Sequence, residues 1–319
     1  MQKLIECVPN ISEGRDKNKI EQIVRAAQNR GVKILHVDAG YDANRTVITF
    51  AGAPEKVMDA AFALVQKSCE LIDMRLQRGA HPRLGAADVC PFIPLREASM
   101  QDCVNIAKKL AEKAARELGI PVYLYEEAAS APEKKNLAFI RKGEYENLAR
   151  KLKELPPDFG PPDFSAAAQK SGALITGARN FLIAYNVTLN STDEQKAKQI
   201  ASAVRESGAG LKLKAVKAIG WAAPQYNAAQ ISCNITDYKK TSLRDVYEAC
   251  KSEAAKLGLE VKGSEIIGLL PEAALVRKSV FNMLNFTVQN RDNVKGNAVK
   301  LRLLLFNIKR GRGGYFILF

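Results

Sequence analysis

Strand-like and helical stretches follow the same order twice along this chain of 319 residues. Between Leu4 and Pro94, the spacing of apolar residues indicates a strand, a helix, two strands, a helix and a strand. The same succession returns between Phe181 and Ile267. This duplicated split β-α-β plan predicts an α/β (α+β) protein of two ferredoxin-like subdomains, each with a mostly antiparallel sheet and its helices on one face.

A proline-rich segment, residues 155–164, follows the first copy of this plan after one more predicted helix and strand. Its four prolines and one glycine indicate a rigid, irregular connection. We place the subdomain boundary after Gly177. The sequence therefore predicts an N-terminal subdomain at residues 1–177, a C-terminal subdomain at residues 178–276 and a basic tail at residues 277–319.

The positive charge of the chain is distributed unevenly. The sequence has 48 Lys and Arg against 34 Asp and Glu, which gives a formal net charge of +14. The tail holds nine basic residues and one acid, Asp292, so +8 of the excess lies there and +6 lies in residues 1–276. The RGG-like run Lys309–Tyr315 makes RNA binding through the tail a remote alternative. The aromatic strings of RNA-binding ferredoxin-like domains do not occur, so nucleic acid is not an expected partner.

Several classes of protein find no support in the sequence. The six cysteines form no CxxC pair and no HExxH motif occurs, so neither a disulfide scaffold nor a metal site is expected. Phosphate-loop and GxSxG nucleophile motifs do not occur either. The sequence contains no apolar run of about 18 residues and no signal sequence. We expect a cytoplasmic protein without a membrane segment.

Proton-transfer chemistry has two histidines to draw on, His36 and His81. His81 lies in the loop Arg78–Asp88, between Arg78 and Arg83, where glycines and a following proline restrict the backbone. An imidazole near its ordinary pKa accepts and returns protons at neutral pH, and we expect the flanking cations to lower that pKa. The alternative is that His81 only caps a turn. His36 lies within a predicted strand and is more typical of a structural histidine.

A carboxylate and a guanidinium are predicted at one end of a β-hairpin. Asp38 ends the first strand of this hairpin, and Arg45 directly precedes the second. Aspartate is a common turn residue, so Asp38 has a purely structural alternative. A turn does not require an arginine, which makes Arg45 the stronger candidate for binding a ligand.

Long strings of sequence, in a fixed order from about residue 3 to residue 275, carry a resemblance to a known family. The strings are CVPNISEG (7–14), HVDAGYDANRTVITFAG (36–52), LIDMRLQRGAHPRLGAADVCPFIPL (71–95), PVYLYEEAA (121–129), IRKGEYENL (140–148), PDFGPPDF (157–164), TGARNFLIAYNVTL (176–189), KAIGW (217–221), QISCNITDY (230–238) and GSEIIGLLP (263–271). Together they resemble glutamate formimidoyltransferase, the folate-dependent transferase family of histidine breakdown.

The resemblance implies a reaction and a catalytic group. The formimidoyl group would pass from N-formimidoyl-L-glutamate to N5 of tetrahydrofolate, giving 5-formimidoyltetrahydrofolate and L-glutamate. His81 falls on the family's catalytic histidine and would act as general base and then as general acid. We expect Asp38 to stabilise the cationic amidine or to orient His81. Arg45 and Arg83 are expected to hold substrate carboxylates.

The resemblance also implies an architecture and a folate site. The two sheets are expected to face each other across a basic tunnel, with the helices outside, in a homodimer. Tetrahydrofolate, with or without a polyglutamate tail, is the expected co-substrate. Phe164 would either stack on the pterin or anchor its loop. The implied folate-binding residues are Gly160, Pro161, Pro162, Asp163, Phe164, Ser165 and Gly172.

Two departures from the family keep alternatives open. The segment Ser165–Lys170 is a few residues longer than the usual spacing, and nothing after Leu275 resembles the family. We therefore expect the tail to be unrelated to the family or out of frame, and a family member that has lost activity is one alternative. Formyl transfer from N-formyl-L-glutamate is another, because it would use the same folate site and base. No cyclodeaminase domain is expected in this chain.

Overall fold

The computed structural model of the chain describes residues 2–274. The contacts among these residues divide the chain into two compact units, and the boundary lies between Asn180 and Phe181. No helix in the described range is both long enough and apolar enough to cross a membrane. The predicted basic tail and its RGG-like run lie outside the described residues.

The first unit is built on one mixed sheet. Two short strands, β1 and β2, lie end to end between β4 and β5 and run antiparallel to both. On one side β3 pairs antiparallel with β4, and on the other β7 and then β6 extend the sheet parallel to β5. The strands are β1 (Ile5–Cys7), β2 (Asn10–Ile11), β3 (Lys33–Gly40), β4 (Arg45–Gly52), β5 (Ala87–Pro94), β6 (Val122–Glu126) and β7 (Leu174–Ala178).

Three long helices cover one face of this sheet. They are α1 (Lys17–Gln28), α2 (Pro54–Leu71) and α3 (Met100–Leu118), and their apolar sides share one core with side chains of β1, β4 and β5. The boundaries of α3 follow from local chemistry, because Ser99 and Asp102 form a capping box and Gly119 ends the helix with a φ of 64°.

Short helices cover part of the opposite face. A second apolar cluster joins Val89 of β5 and Tyr123 of β6 to Ile140 and Leu148. The helices of this region are α4 (Leu137–Arg141), α5 (Leu148–Glu154) and α6 (Ala166–Ser171), with 3₁₀ turns at Pro132–Lys135 and Tyr145–Asn147. This layer does not cover the end of the sheet at which β3 ends and β5 begins, and loops converge there.

The described part of the second unit, residues 181–274, has a four-stranded antiparallel sheet in the order β11-β8-β10-β9. Alternate residues of β8, such as Ile183, Tyr185 and Val187, are buried in a core shared with two helices. The elements are β8 (Ile183–Leu189), α7 (Glu194–Val204), β9 (Val216–Ala223), β10 (Ala228–Ile235), α8 (Leu243–Lys256) and β11 (Val261–Ile267), with 3₁₀ turns at Pro224–Tyr226 and Glu272–Ala274.

The predicted fold class is confirmed: the protein is mixed α/β, with two sheets and helices, and is consistent with two ferredoxin-like subdomains. The sequence analysis missed β7, whose five buried residues end in Gly177 and Ala178, two residue types that are depleted in strands. The boundaries at residues 177 and 276, and the expectation that the two sheets face each other, stay predictions.

Candidate active site

His81 lies in the loop between α2 and β5 and is half-buried. Its Nδ1 atom is 2.8 Å from the carbonyl oxygen of Pro82. A carbonyl oxygen can only accept, so Nδ1 carries the hydrogen and donates. In the neutral imidazole the lone pair is then on Nε2, and this nitrogen is the one that can take up a proton.

The pKa of His81 lies well below its ordinary value of 6.5. Burial is the largest cause, and the positive charges of Arg45 and Arg141 lower the pKa further. The hydrogen bond to Pro82 and the charge of Asp88 act in the opposite direction. The predicted direction of this shift agrees with the structure, but the cations responsible are distant in sequence and are not the flanking arginines. The imidazole is therefore neutral near pH 7, with Nε2 able to accept a proton.

Asp88 joins the two arginines that act on His81. Its Oδ2 atom accepts from Nη1 of Arg45 at 2.6 Å and from Nη2 of Arg141 at 2.8 Å, and its Oδ1 atom accepts from the backbone N–H of Leu84 at 2.8 Å. Asp88 is fully buried, and burial alone would raise its pKa. The charges of Arg141 and Arg45 outweigh burial and hold that pKa below the ordinary value.

A β-bulge at the start of β5 explains the position of Asp88. In the pairing with β2, Asn10 lies opposite Val89 and Ile11 lies opposite Ala87, so Asp88 is the extra residue. Such a bulge redirects a side chain out of the regular alternation. It directs the carboxylate of Asp88 towards Arg45, whose Nε also donates to Oδ1 of Asn10 at 3.0 Å.

Arg45 is held by side-chain contacts to Asp88 and Asn10, and its expected role in binding a ligand stays a prediction. The side chain is 6% exposed at the start of β4, and burial lowers its pKa to about 10, partly opposed by Asp88. Asp38 is half-buried on the neighbouring strand β3, where it pairs with Val47. Because residues 45 and 47 of β4 point to the same side of the sheet, Asp38 and Arg45 share one face.

The hairpin turn holds the histidine loop in place through Asn44. This residue has a φ of 45°, and its side chain accepts from the N–H of Gly14 at 2.9 Å and donates to the carbonyl oxygen of Arg78 at 2.8 Å. Gly79 packs so closely on the turn that a Cβ there would lie 2.2 Å from the carbonyl oxygen of Ala43. The hairpin turn, the loop that carries His81 and the segment at Gly14 therefore meet at one end of the sheet.

Arg83 has a full set of partners inside the chain. Its Nε donates to Oε1 of Gln77 at 2.8 Å, and Nη2 donates to the carbonyl oxygen of Gln77 and to Oε1 of Glu146 at 2.6 Å. Nη1 donates to Glu144 and to Oε2 of Glu146. These contacts use all five N–H groups of the guanidinium. They differ from the expected carboxylate-binding role, which stays untested, and they favour a role in holding the loop.

The predicted folate segment is divided between two places. Gly160 has a φ of 87° and packs against Ile120, where a Cβ would lie 2.3 Å from the carbonyl oxygen. Pro162 and Asp163 are exposed, and Pro161 is half-buried. The start of the segment is therefore fixed by its packing near β6.

The end of the folate segment lies beside the histidine loop. Ser165 caps α6, and the ring of Phe164 contacts Tyr145 with 6.2 Å between centroids. Gly172 has a φ of 69°, and a Cβ there would lie 2.2 Å from the carbonyl oxygen of Leu84. The segment thus contacts Leu84, which lies three residues after His81 in the histidine loop.

The sequence analysis did not assign a role to Asp88 or Arg141. A charged residue that enters the otherwise apolar strand at residues 87–94 was the available signal for Asp88. Arg141 lies 53 residues from Asp88, and no local pattern predicts their contact. Within residues 2–274, no group of three or more His, Cys, Asp or Glu side chains is arranged to hold a metal ion.

Comparison with known proteins gives matches over both units. A model described as the formiminotransferase domain, N-terminal subdomain, matches residues 4–179, and one described as the formiminotransferase domain matches residues 184–307. The second match extends into the tail, so the expectation that the sequence after Leu275 is unlike the family is wrong up to residue 307.

Individual relatives cover most of the chain. Glutamate formimidoyltransferase of Thermoplasma acidophilum is 47% identical over 86% of this chain and 90% of its own length. The protein of that name from Streptococcus pyogenes serotype M1 is 42% identical over 86% of this chain and 92% of its own length. Formimidoyltransferase-cyclodeaminase of Dictyostelium discoideum is 47% identical over 96% of this chain. The chain spans 57% of that relative's length, and about half the length of its vertebrate counterparts.

Proposed function

The chain belongs to the formiminotransferase family, and from this premise we propose that it is a glutamate formimidoyltransferase. It transfers the formimidoyl group from N-formimidoyl-L-glutamate to N5 of tetrahydrofolate and releases L-glutamate. This proposal is supported by the names of the Thermoplasma acidophilum and Streptococcus pyogenes relatives, since this chain covers 90% and 92% of their lengths. The observation that carries it is the hydrogen bond from Nδ1 of His81 to Pro82, which leaves Nε2 as the proton acceptor, in a loop held by the buried cluster of Arg45, Asp88 and Arg141.

His81 moves the proton that the reaction must relocate. As N5 of tetrahydrofolate forms a bond to the amidine carbon, Nε2 of His81 takes the N5 proton. When the bond between that carbon and the glutamate nitrogen breaks, the imidazolium returns the proton to the departing nitrogen. The depressed pKa of His81 keeps the group in its base form before the first step and makes the imidazolium a ready donor for the second.

The charges around His81 suit an anionic substrate. Arg45, Arg141 and Asp88 together carry one net positive charge in a buried setting, and the donor is a dicarboxylate. We propose that Arg45 contributes to this field and that Asp38 stabilises the cationic amidine or orients His81. Arg83 positions the histidine loop, in keeping with its internal partners.

The folate subsite uses Gly160, Pro161, Pro162, Asp163, Phe164, Ser165 and Gly172. Of the two roles expected for Phe164, its contact with Tyr145 favours the loop anchor. A homodimer, a cytoplasmic location and acceptance of polyglutamylated tetrahydrofolate are carried over from the family resemblance as further parts of the proposal.

A spectrophotometric assay with N-formimidoyl-L-glutamate and tetrahydrofolate tests this function. We expect turnover by the native chain and a loss of about 10²- to 10⁴-fold in kcat for His81→Ala. His36→Gln is the matched control, since it changes the other histidine of the chain, and it should stay within a few-fold of the native rate.

Each other outcome contradicts a stated part of the proposal. Unchanged activity of His81→Ala would refute the base assignment. If N-formyl-L-glutamate reacts and N-formimidoyl-L-glutamate does not, the donor assignment is wrong and the chain is a formyltransferase. If neither donor reacts, the proposed function is wrong.

A further inference from the structure

The cluster around Asp88 contains more positive than negative charge. In the part of the chain that the structure describes, both ion pairs of Arg45 and Arg141 go to this single carboxylate. The three side chains are between 0% and 11% exposed. A buried charge without a partner is costly, so a cluster with one surplus guanidinium is suited to receive one anionic group.

Arg141 has hydrogen-bonding capacity that the protein does not use. Its Nη2 atom donates to Asp88 at 2.8 Å, but its Nε atom is buried and has no hydrogen-bond partner among the described residues. Buried N–H groups are almost always paired, and leaving one unpaired costs free energy. A carboxylate that accepts from this edge of the guanidinium would satisfy the N–H and neutralise the surplus charge in one contact.

Two further buried arginines of the first unit, Arg83 and Arg45, are less available for this contact. Arg83 uses all five of its N–H groups on Gln77, Glu144 and Glu146. Arg45 directs Nε to Asn10 and Nη1 to Asp88, and its side chain is 6% exposed against 11% for Arg141.

The setting of Arg141 fixes its guanidinium on Asp88, which also holds the loop that carries His81. It is the last residue of α4, and its neighbour Ile140 is fully buried in the second apolar cluster of the first unit. The hydrogen bond to Asp88 orients the side chain, and Asp88 in turn accepts from Leu84 at the end of the histidine loop. The positive charge of Arg141 acts directly on His81.

We infer that Arg141 binds a carboxylate of the glutamate part of the formimidoyl donor, with Asp88 holding its guanidinium in position. This inference rests on the proposed function for the identity of the donor. It also predicts that the product L-glutamate binds at the same place.

Steady-state kinetics of Arg141→Ala and Arg141→Lys test the inference. Losing a charge-assisted contact to the donor should raise the KM for N-formimidoyl-L-glutamate by about 10- to 100-fold, with the KM for tetrahydrofolate nearly unchanged. The change in kcat should be smaller, and it arises because the loss of the Arg141 charge also raises the pKa of His81. Arg141→Lys keeps the charge beside Asp88 but loses the planar guanidinium. Its KM for N-formimidoyl-L-glutamate should therefore lie between that of the native chain and that of Arg141→Ala. Arg150→Ala, an exposed arginine of α5, is the matched control and should behave as the native chain.

A binding measurement separates this inference from the proposed function. L-glutamate should raise the Tm of the native chain and of Arg150→Ala, but not that of Arg141→Ala. If the native chain has no transferase activity while glutamate still stabilises it through Arg141, the proposed reaction fails and the carboxylate site stands. Equal stabilisation of Arg141→Ala by glutamate, or a KM effect on tetrahydrofolate alone, would overturn the inference.

Discussion

Glu6 should make the folded chain less stable as the pH rises from about 4.5 to about 7. This side chain lies on β1 and is 8% exposed. Burial raises its pKa from 4.5 to about 7, and the charge of Arg179 partly opposes this effect. The folded state therefore holds the proton more tightly than the unfolded chain does. The stability that this proton contributes is full below pH 4.5 and is lost as the pH rises to about 7.

The substitution Glu6→Gln keeps the size of the side chain and removes its ionisation. In the native chain, the shift in pKa lowers the free energy of unfolding by about 3 kcal/mol once Glu6 is ionised in both the folded and the unfolded state. We expect the free energy of unfolding of Glu6→Gln, relative to the native chain, to increase by about 3 kcal/mol between about pH 4 and pH 8.

Urea unfolding followed by far-UV circular dichroism at these two pH values measures this difference. The single tryptophan of the chain, Trp221, lies in the second unit, so its fluorescence follows that unit separately from the one that contains Glu6. Glu112→Gln is the control, because Glu112 is 64% exposed on α3 and its pair with Arg116 is a surface one. A difference for Glu6→Gln that does not change with pH would refute the reasoning.

The other predictions concern the site and two glycines. Asp88→Asn leaves two buried guanidinium groups without a carboxylate and should lower the free energy of unfolding by about 3–5 kcal/mol in urea titrations; a loss below about 1 kcal/mol would contradict the pairing. The depressed pKa of His81 should place the acid limb of the pH profile of kcat/KM below pH 6.5, and a limb above that value would argue against a neutral imidazole. Gly172→Ala should lower the Tm more than Gly258→Ala, because the two glycines have φ values of 69° and 70° but only the Cβ at position 172 would meet the backbone; equal losses would speak against the clash. Asn44→Gly tolerates the positive φ yet removes both side-chain hydrogen bonds of the turn, so kcat should decrease about tenfold, and an unchanged kcat would show that the loop does not need them.

Local sequence patterns were sufficient for most elements of the fold. The helix α3 begins at a Ser-Asp capping box and ends at a glycine, and both features involve neighbours along the chain. Most strands of both sheets were predicted from short apolar runs, including β5, which is buried along almost its whole length. The strand β7 was not predicted, because it has five residues and ends in Gly177 and Ala178, two residue types that are depleted in strands.

The sequence by itself determined the fold class, the order of most strands and long helices, and His81 as the candidate base. These are properties of spacing and residue type, which depend on neighbours along the chain. Only the tertiary structure decided which charges surround that histidine, because Arg45 and Arg141 lie 43 and 53 residues from Asp88. The pKa of a buried group depends on charges near it in space and on its lost contact with water, and the local sequence predicts neither.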